Sequence, residues 1–195
     1  GLKGTHQKSN AAIASKVVDL LNTDFPVSKA NMLKGLQATT LPGRFQTLQW
    51  RKSKIILDVA HNLAGYEVLA ANCRQEFGEN KCELIFASLD DKPWKEGLKR
   101  LLPYCKSVHC VPAKSQRAVS PQNLIQYLES INPRRSRETK YLAHDHVETC
   151  LQNLKKSAQH PILITGSFYL IGEALSVIQD NDHNETSLNE WGAKL

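Results

Sequence analysis

Short, wholly apolar runs alternate with helical patterns along most of the chain, and this alternation limits the possible folds more than any single residue does. "IILDV" at Ile55 to Val59 and "ILIT" at Ile162 to Thr165 lack the polar alternation of a half-exposed strand. Such runs must be covered on both faces, as in a parallel sheet between helical layers. Further strands are predicted at Phe45 to Trp50, Cys82 to Ala87, Ser107 to Val111 and Lys140 to Ala143. Helical patterns fall between most of them, at Ala64 to Phe77, Pro93 to Leu102, Ser120 to Ser130 and Val147 to Ser157, with a last one at Phe168 to Gln179. The turn "RKSK" is too short for a parallel crossover, so the first strand must be an antiparallel edge.

The expected architecture is an α/β, Rossmann-like, mostly parallel sheet of about six strands, with helices on both faces and a short helical segment before it. Ser9 is expected to cap a first helix through about Leu21, and Ser28 a second through about Leu36. "ATTLPGR" then reads as a linker, because Pro42 and Gly43 break the pattern. Residues 1–40 therefore form a preamble, 41–180 the sheet domain, and 181–195 a polar, aperiodic tail expected to be loosely ordered. Ser120 followed by Pro121 is a strong helix start.

Composition sets the outer limits. With 195 residues, 41% hydrophobic and 23% charged, the chain can bury a full core and is not disordered by composition. Its net charge of +6 favours anionic partners. Only "PRRSR" at Pro133 to Arg137 clusters basic residues, so phosphorylated or polycarboxylate ligands fit as well as nucleic acid, which is not expected as a partner. The five cysteines have no CxxC pair and no histidine-partnered spacing, so neither a disulfide framework nor a zinc site is indicated. No run is long enough to span a membrane, and a cytoplasmic protein is expected. The chain starts at Gly1 and has its single methionine at Met32, which suggests a piece of a longer polypeptide.

The chemistry-bearing residues gather where strands end, which is where open α/β sheets bind ligands. Asp58 closes "IILD", where it can hold a ribose hydroxyl, cap the next helix or ligate a metal. His61 follows, as a loop hydrogen-bonder or a catalytic group. Gly166 and Ser167 after "ILIT" open a helix that can either bind an anion at its N-terminus or simply be capped by the serine. Arg44 of "PGRFQ" can reach a phosphate or form a surface ion pair. Asp90, Asp91 and Lys92 form a weaker candidate at a third strand end. The sequence contains no P-loop, GxSxG, HExxH or GxGxxG motif.

In order, "GTHQKSNAAIA", "PGRFQ", "ILDVAHN", "FASLDDK", "SQRA" and "ITGSFYLIGEAL" resemble the closing part of folylpolyglutamate synthase, often bifunctional with dihydrofolate synthase, of the Mur-ligase superfamily. The resemblance runs from about Gly4 to Leu175. It implies an ATP-dependent ligase that adds L-glutamate to folate or dihydropteroate through an acyl phosphate. ATP and Mg2+ are then required, with the metal ligands and P-loop in a missing N-terminal ATPase domain. The resemblance makes Asn10 an adenine contact, Arg44 a contact to the ATP phosphates and Asp58 a ribose or hinge-side contact. His61 and Ser167 then face the cleft where glutamate and the folyl tail meet. No catalytic residue is assigned within this chain, which is expected to be inactive alone, and a monomer is expected. The other readings are another Mur-type amino-acid ligase domain and a non-catalytic nucleotide- or anion-binding module. Two departures stand out: Leu63 occupies the place of the family's usual proline, and "DDKPW" replaces "DKD".

Overall fold

The computed structural model describes residues 2, 4, 6–50, 53–132, 139–157 and 160–192, with the side chains of 6, 155–157 and 181–192 left aside. The "PRRSR" run lies outside the described residues. Two helices come first, α1 (His6–Leu21) and α2 (Lys29–Ala38). The sheet domain follows as β1 (Gln46–Trp50), β2 (Ser53–Asp58), α3 (Leu63–Phe77), β3 (Cys82–Phe86), α4 (Trp94–Leu101) and β4 (Cys105–Cys110). It continues with α5 (Pro121–Ile131), β5 (Lys140–Ala143), α6 (Val147–Ser157), β6 (Ile162–Thr165) and α7 (Phe168–Gly192).

The six strands lie in the order β1-β2-β6-β3-β4-β5. β1 pairs antiparallel with β2, and every other pairing is parallel, as the short turn and the helical crossovers require. β6 enters last and slots between β2 and β3, so Asp58 and Phe86 both stand level with Thr165. The carboxyl ends of three central strands therefore meet at one edge, where the chain direction across the sheet reverses.

Side chains alternate across the sheet into two cores. Ile56, Leu84, Phe86 and Leu163 pack with Tyr66, Leu69, Cys73 and Phe77 of α3 and with Leu98 and Leu124 of α4 and α5. Ile55, Leu57, Ile85, Ile162 and Ile164 pack on the opposite side with Leu151 of α6 and Leu170 and Ala174 of α7. Each large side chain buried in this way contributes about 1.5–3 kcal/mol, which fixes strand register, because a one-residue slip would swap the two faces.

Several boundaries differ from those read in the sequence. α1 begins at His6, with Gln7 N–H donating to Gly4 O at 3.1 Å, so Ser9 lies within the helix and does not cap it. Nothing after Gly4 breaks a helix, and the turn therefore forms earlier. Ser28 and Ser120 do cap, each accepting from the amide three residues on. β1 starts one residue late because Phe45 has φ 46°, outside the strand region. α7 continues to Gly192 where a loose tail was expected, since no proline or glycine interrupts it after Gly172. All five cysteines are free and buried. Among the described residues, no helix is long and apolar enough to cross a membrane.

Candidate functional site

At the carboxyl end of β2 the chain folds back on the linker. Asp58 Oδ2 accepts from Phe45 N–H at 3.0 Å, and its Oδ1 accepts from Ala60 N–H at 2.9 Å. Val59 N–H donates to Gly43 O at 2.8 Å, and Gln46 Oε1 accepts from Gly43 N–H at 3.0 Å. Gly43 has φ 69°, and a Cβ there would stand 2.6 Å from Val59 Cγ1, so only glycine fits this turn. Phe45, also at positive φ, carries strain of about 1–3 kcal/mol, offset by its burial and by the Asp58 bond. Residues on either side of Arg44 are thus clamped and buried while Arg44 itself is exposed.

Arg44 and Asp58 line one cleft of ≈ 240 Å³, together with Gln7 of α1, Ala60, Asn62 and Gly65. Among the described residues no acid pairs with Arg44, so its surface ion-pair reading finds no partner here. Asp58 does not cap α3; Asn62 does, accepting from Gly65 N–H at 2.8 Å. Leu63 is the first residue of α3, the position at which a proline is tolerated, and the helix start forms normally with leucine.

The second polar group lies where β6 ends. Gly166 has φ 108°, and a Cβ there would meet Ala87 O at 2.3 Å, so the strand-to-helix turn demands glycine. Ser167 is buried, and its Oγ accepts from Tyr169 N–H at 3.2 Å, which makes it the cap of α7. The His61 ring lies 5.2 Å from that of Phe168, tilted by 52°. His61 Nδ1 stands 2.8 Å from Val59 O. A carbonyl only accepts, so Nδ1 carries the proton and Nε2 is the acceptor of the neutral ring. His61 and Ser167 are thereby brought to the same helix start, but the serine hydroxyl already serves the backbone. The sequence reading passed over Phe168, whose ring stands beside His61, and its neighbour Tyr169, which are 56% and 49% exposed. Two adjacent aromatics directly after the Gly-Ser turn of "TGSFY" were the available signal.

Residues 42–177 match the family model for the C-terminal domain of dihydrofolate synthetase. The chain belongs to this family. A Bacillus subtilis dihydrofolate synthase/folylpolyglutamate synthase is 31% identical over 174 residues, covering 88% of this chain and 39% of that protein. E. coli FolC, solved in complex with DHPP and ADP, superposes with a TM-score of 0.73 at 24% identity, covering 89% of this chain and 39% of that one. A bifunctional folylpolyglutamate synthase/dihydrofolate synthase from Yersinia pestis, complexed with AMPPNP and Mn ion, gives 0.65 at 27%, covering 82% of this chain and 37% of that one. The chain thus spans well under half the length of these relatives.

Asn10 and the "DDK" group, like His61 and Ser167, do not line the cleft of this family member. Asn10 donates to Gln7 Oε1 at 2.9 Å and lines a separate hollow of ≈ 460 Å³ between α1 and α2, with Ala11, Ala14, Leu33 and Leu36. Gln7 borders both spaces, so Asn10 adjoins the Arg44 and Asp58 cleft without lining it. Asp91 pairs with Lys92 at 3.0 Å and Arg117 at 3.2 Å, and Asp90 N–H donates to Arg117 O at 2.8 Å. Lys92 and then Arg117 hold the Asp91 carboxyl below its ordinary pKa. These contacts give the "DDK" group the work of joining two loops.

Proposed function

We propose that this chain is the C-terminal glutamate-ligase domain, with the last helices of the central domain, of an ATP-dependent ligase of the folylpolyglutamate synthase/dihydrofolate synthase type, which adds L-glutamate to folate through an acyl phosphate. The observation that carries the reading is the Arg44 and Asp58 cleft, built on a clamped turn in a chain whose family match begins at residue 42. In such a ligase the γ-phosphoryl group passes to the substrate's terminal carboxylate. The glutamate amine then attacks the acyl phosphate, phosphate leaves, and an amide remains. Positioning and charge stabilisation dominate this chemistry.

Arg44, exposed on a turn fixed at both flanks, suits a phosphate approached from outside the chain, because its guanidinium gains no strength from wandering. Asp58 suits a ribose or hinge-side hydroxyl as an acceptor. The cleft offers a nucleotide only one wall, so the remaining contacts belong to the N-terminal ATPase domain. A magnesium ion prefers oxygen ligands, and this cleft brings one carboxylate to it, so the metal is assigned to that same domain. His61, through Nε2, and the exposed Phe168 and Tyr169 rings form the side proposed for glutamate or the folyl chain. The free cysteines fit a reducing cytoplasm.

The test is Arg44→Ala in the full-length enzyme, chosen because the Arg44 side chain makes no hydrogen bond or ion pair with the described residues, and alanine keeps its backbone bond to Leu41 O. Glutamate ligation should lose about 2–4 kcal/mol of transition-state stabilisation while the fold is kept. Wild-type turnover and ATP affinity in this variant would refute the cleft's role. A matching split is expected for His61→Ala, whose Michaelis constant should rise for glutamate or folate far more than for ATP.

A further inference from the structure

On the opposite core from the α3 face, three residues that no part of the ligase reading uses converge. His109 of β4, His144 just after β5 and Cys150 of α6 bring ligand atoms within 4.8 Å of one another. His109 and Cys150 are buried and His144 is partly exposed. His109 Nδ1 faces His144 Nε2 at 2.9 Å, with the rings stacked at 5.1 Å. We propose that His109, His144 and Cys150 form a binding site for a thiophilic divalent cation of the zinc class, with a water as fourth ligand.

The groups behind His109 support this. The Ser107 hydroxyl donates to Glu83 Oε2, and Ser107 Oγ lies 2.6 Å from His109 Nε2. With the hydroxyl proton committed to the carboxylate, Oγ accepts from His109 Nε2–H. That fixes the tautomer and leaves the Nδ1 lone pair aimed at His144 and Cys150. A carboxylate-backed histidine of this kind is the usual arrangement around a metal-bound imidazole. His144 Nε2, 2.9 Å from that lone pair, is the second nitrogen donor of the set. Without a metal, burial pushes the Cys150 thiol up to about 12. On binding, the cation takes the place of that thiol proton, which passes to solvent, and His144 moves its own proton to Nδ1.

Zinc bonds of about 2.0–2.1 Å to nitrogen and 2.3 Å to sulfur put tetrahedral ligand atoms roughly 3.3–3.6 Å apart. The two nitrogens already stand near that spacing. Closing the remainder takes about an ångström, which the partly exposed His144 can supply. The chain's only methionine, Met32, lies in α2, so the set does not make the His2Cys-Met arrangement of electron-transfer copper sites. Three strand spacings, roughly 14 Å, separate β4 from β2 and its cleft. The site's expected work is structural: it ties the short, exposed edge strand β5 and α6 to β4.

The experiment uses the 195-residue chain, purified without a histidine tag and stripped of metal. Titration with Co2+ should give one equivalent of a species with a thiolate-to-cobalt charge-transfer band and visible bands of tetrahedral strength. Zn2+ should bleach those bands and raise the thermal midpoint by mass action. Cys150→Ser should lose the charge-transfer band, and His144→Ala, a partly exposed position that should not endanger folding, should lose stoichiometric binding. Ser107→Ala should weaken Co2+ affinity roughly 10–100-fold through the orienting bond alone, while Cys73→Ala on the other core should leave the spectrum intact. No bands and no shift of midpoint in the folded wild-type chain would reduce the cluster to a hydrogen-bonded pair. A charge-transfer band persisting in Cys150→Ser would equally overturn the assignment.

Discussion

Gly166 shows how one residue can serve both the fold and the site. Its φ of 108° and the 2.3 Å approach of Ala87 O to a hypothetical Cβ leave no room for a side chain, and the Phe86 ring closes the other side at 2.7 Å. Gly166→Ala should therefore destabilise the chain by on the order of 2–4 kcal/mol, combining backbone strain with overpacking. A urea midpoint equal to wild type would show that the turn can relax. The glycine of "TGS" was visible in the sequence as a strand-to-helix signal. Its necessity was not, because the neighbour that forbids a Cβ comes from the residue after β3, almost eighty positions earlier. Asp58 teaches the same lesson. Its place at a strand end was legible, but the Phe45 amide it holds belongs to a residue at positive φ thirteen positions earlier, which no propensity predicts.

Elements were legible where pattern alone decides them. "IILDV" and "ILIT" became β2 and β6 because both faces meet apolar side chains, and the antiparallel β1 followed from a turn too short for anything else. Caps were legible where a serine preceded an unbroken helical run, as at Ser28 and Ser120. The position of β6 between β2 and β3 was not legible, since strand order depends on which edge a crossover reaches. The start of α3 offers a test at this scale. Asn62 satisfies one of the orphan amides of α3 through Gly65, so Asn62→Ala should cost about 1 kcal/mol and Asn62→Ser or Asn62→Asp should restore most of it. Equal stability of the alanine variant would mean that the first turn of α3 is held by packing alone. The His109, His144 and Cys150 group was hidden for a related reason. Its members stand on two strands' ends and a helix, and only the sheet's register brings spacings of 35 and 6 residues together.

Across the described residues, apolar exposure is uneven, and the segment before the sheet domain, with its two helices and the turn between them, carries most of it. Ile13 is 65% exposed, Leu20 70% and Phe25 68%, and no described residue of α1 or α2 is buried. The sheet domain, by contrast, closes both of its cores without help from those helices, since neither core includes any residue before Phe45. Exposed apolar surface of this kind, on a chain spanning 39% of its Bacillus subtilis relative, marks a surface suited to contact with another protein surface. Two properties should therefore separate on truncation. A chain starting at residue 41 should keep the circular dichroism and thermal midpoint of the sheet domain, because its core is untouched. It should also lose the binding of hydrophobic dye and the concentration-dependent self-association expected of the 195-residue chain. If removing residues 1–40 instead unfolded the sheet, the helices would be part of its core stability, and the boundary at the Pro42 and Gly43 turn would have no structural meaning.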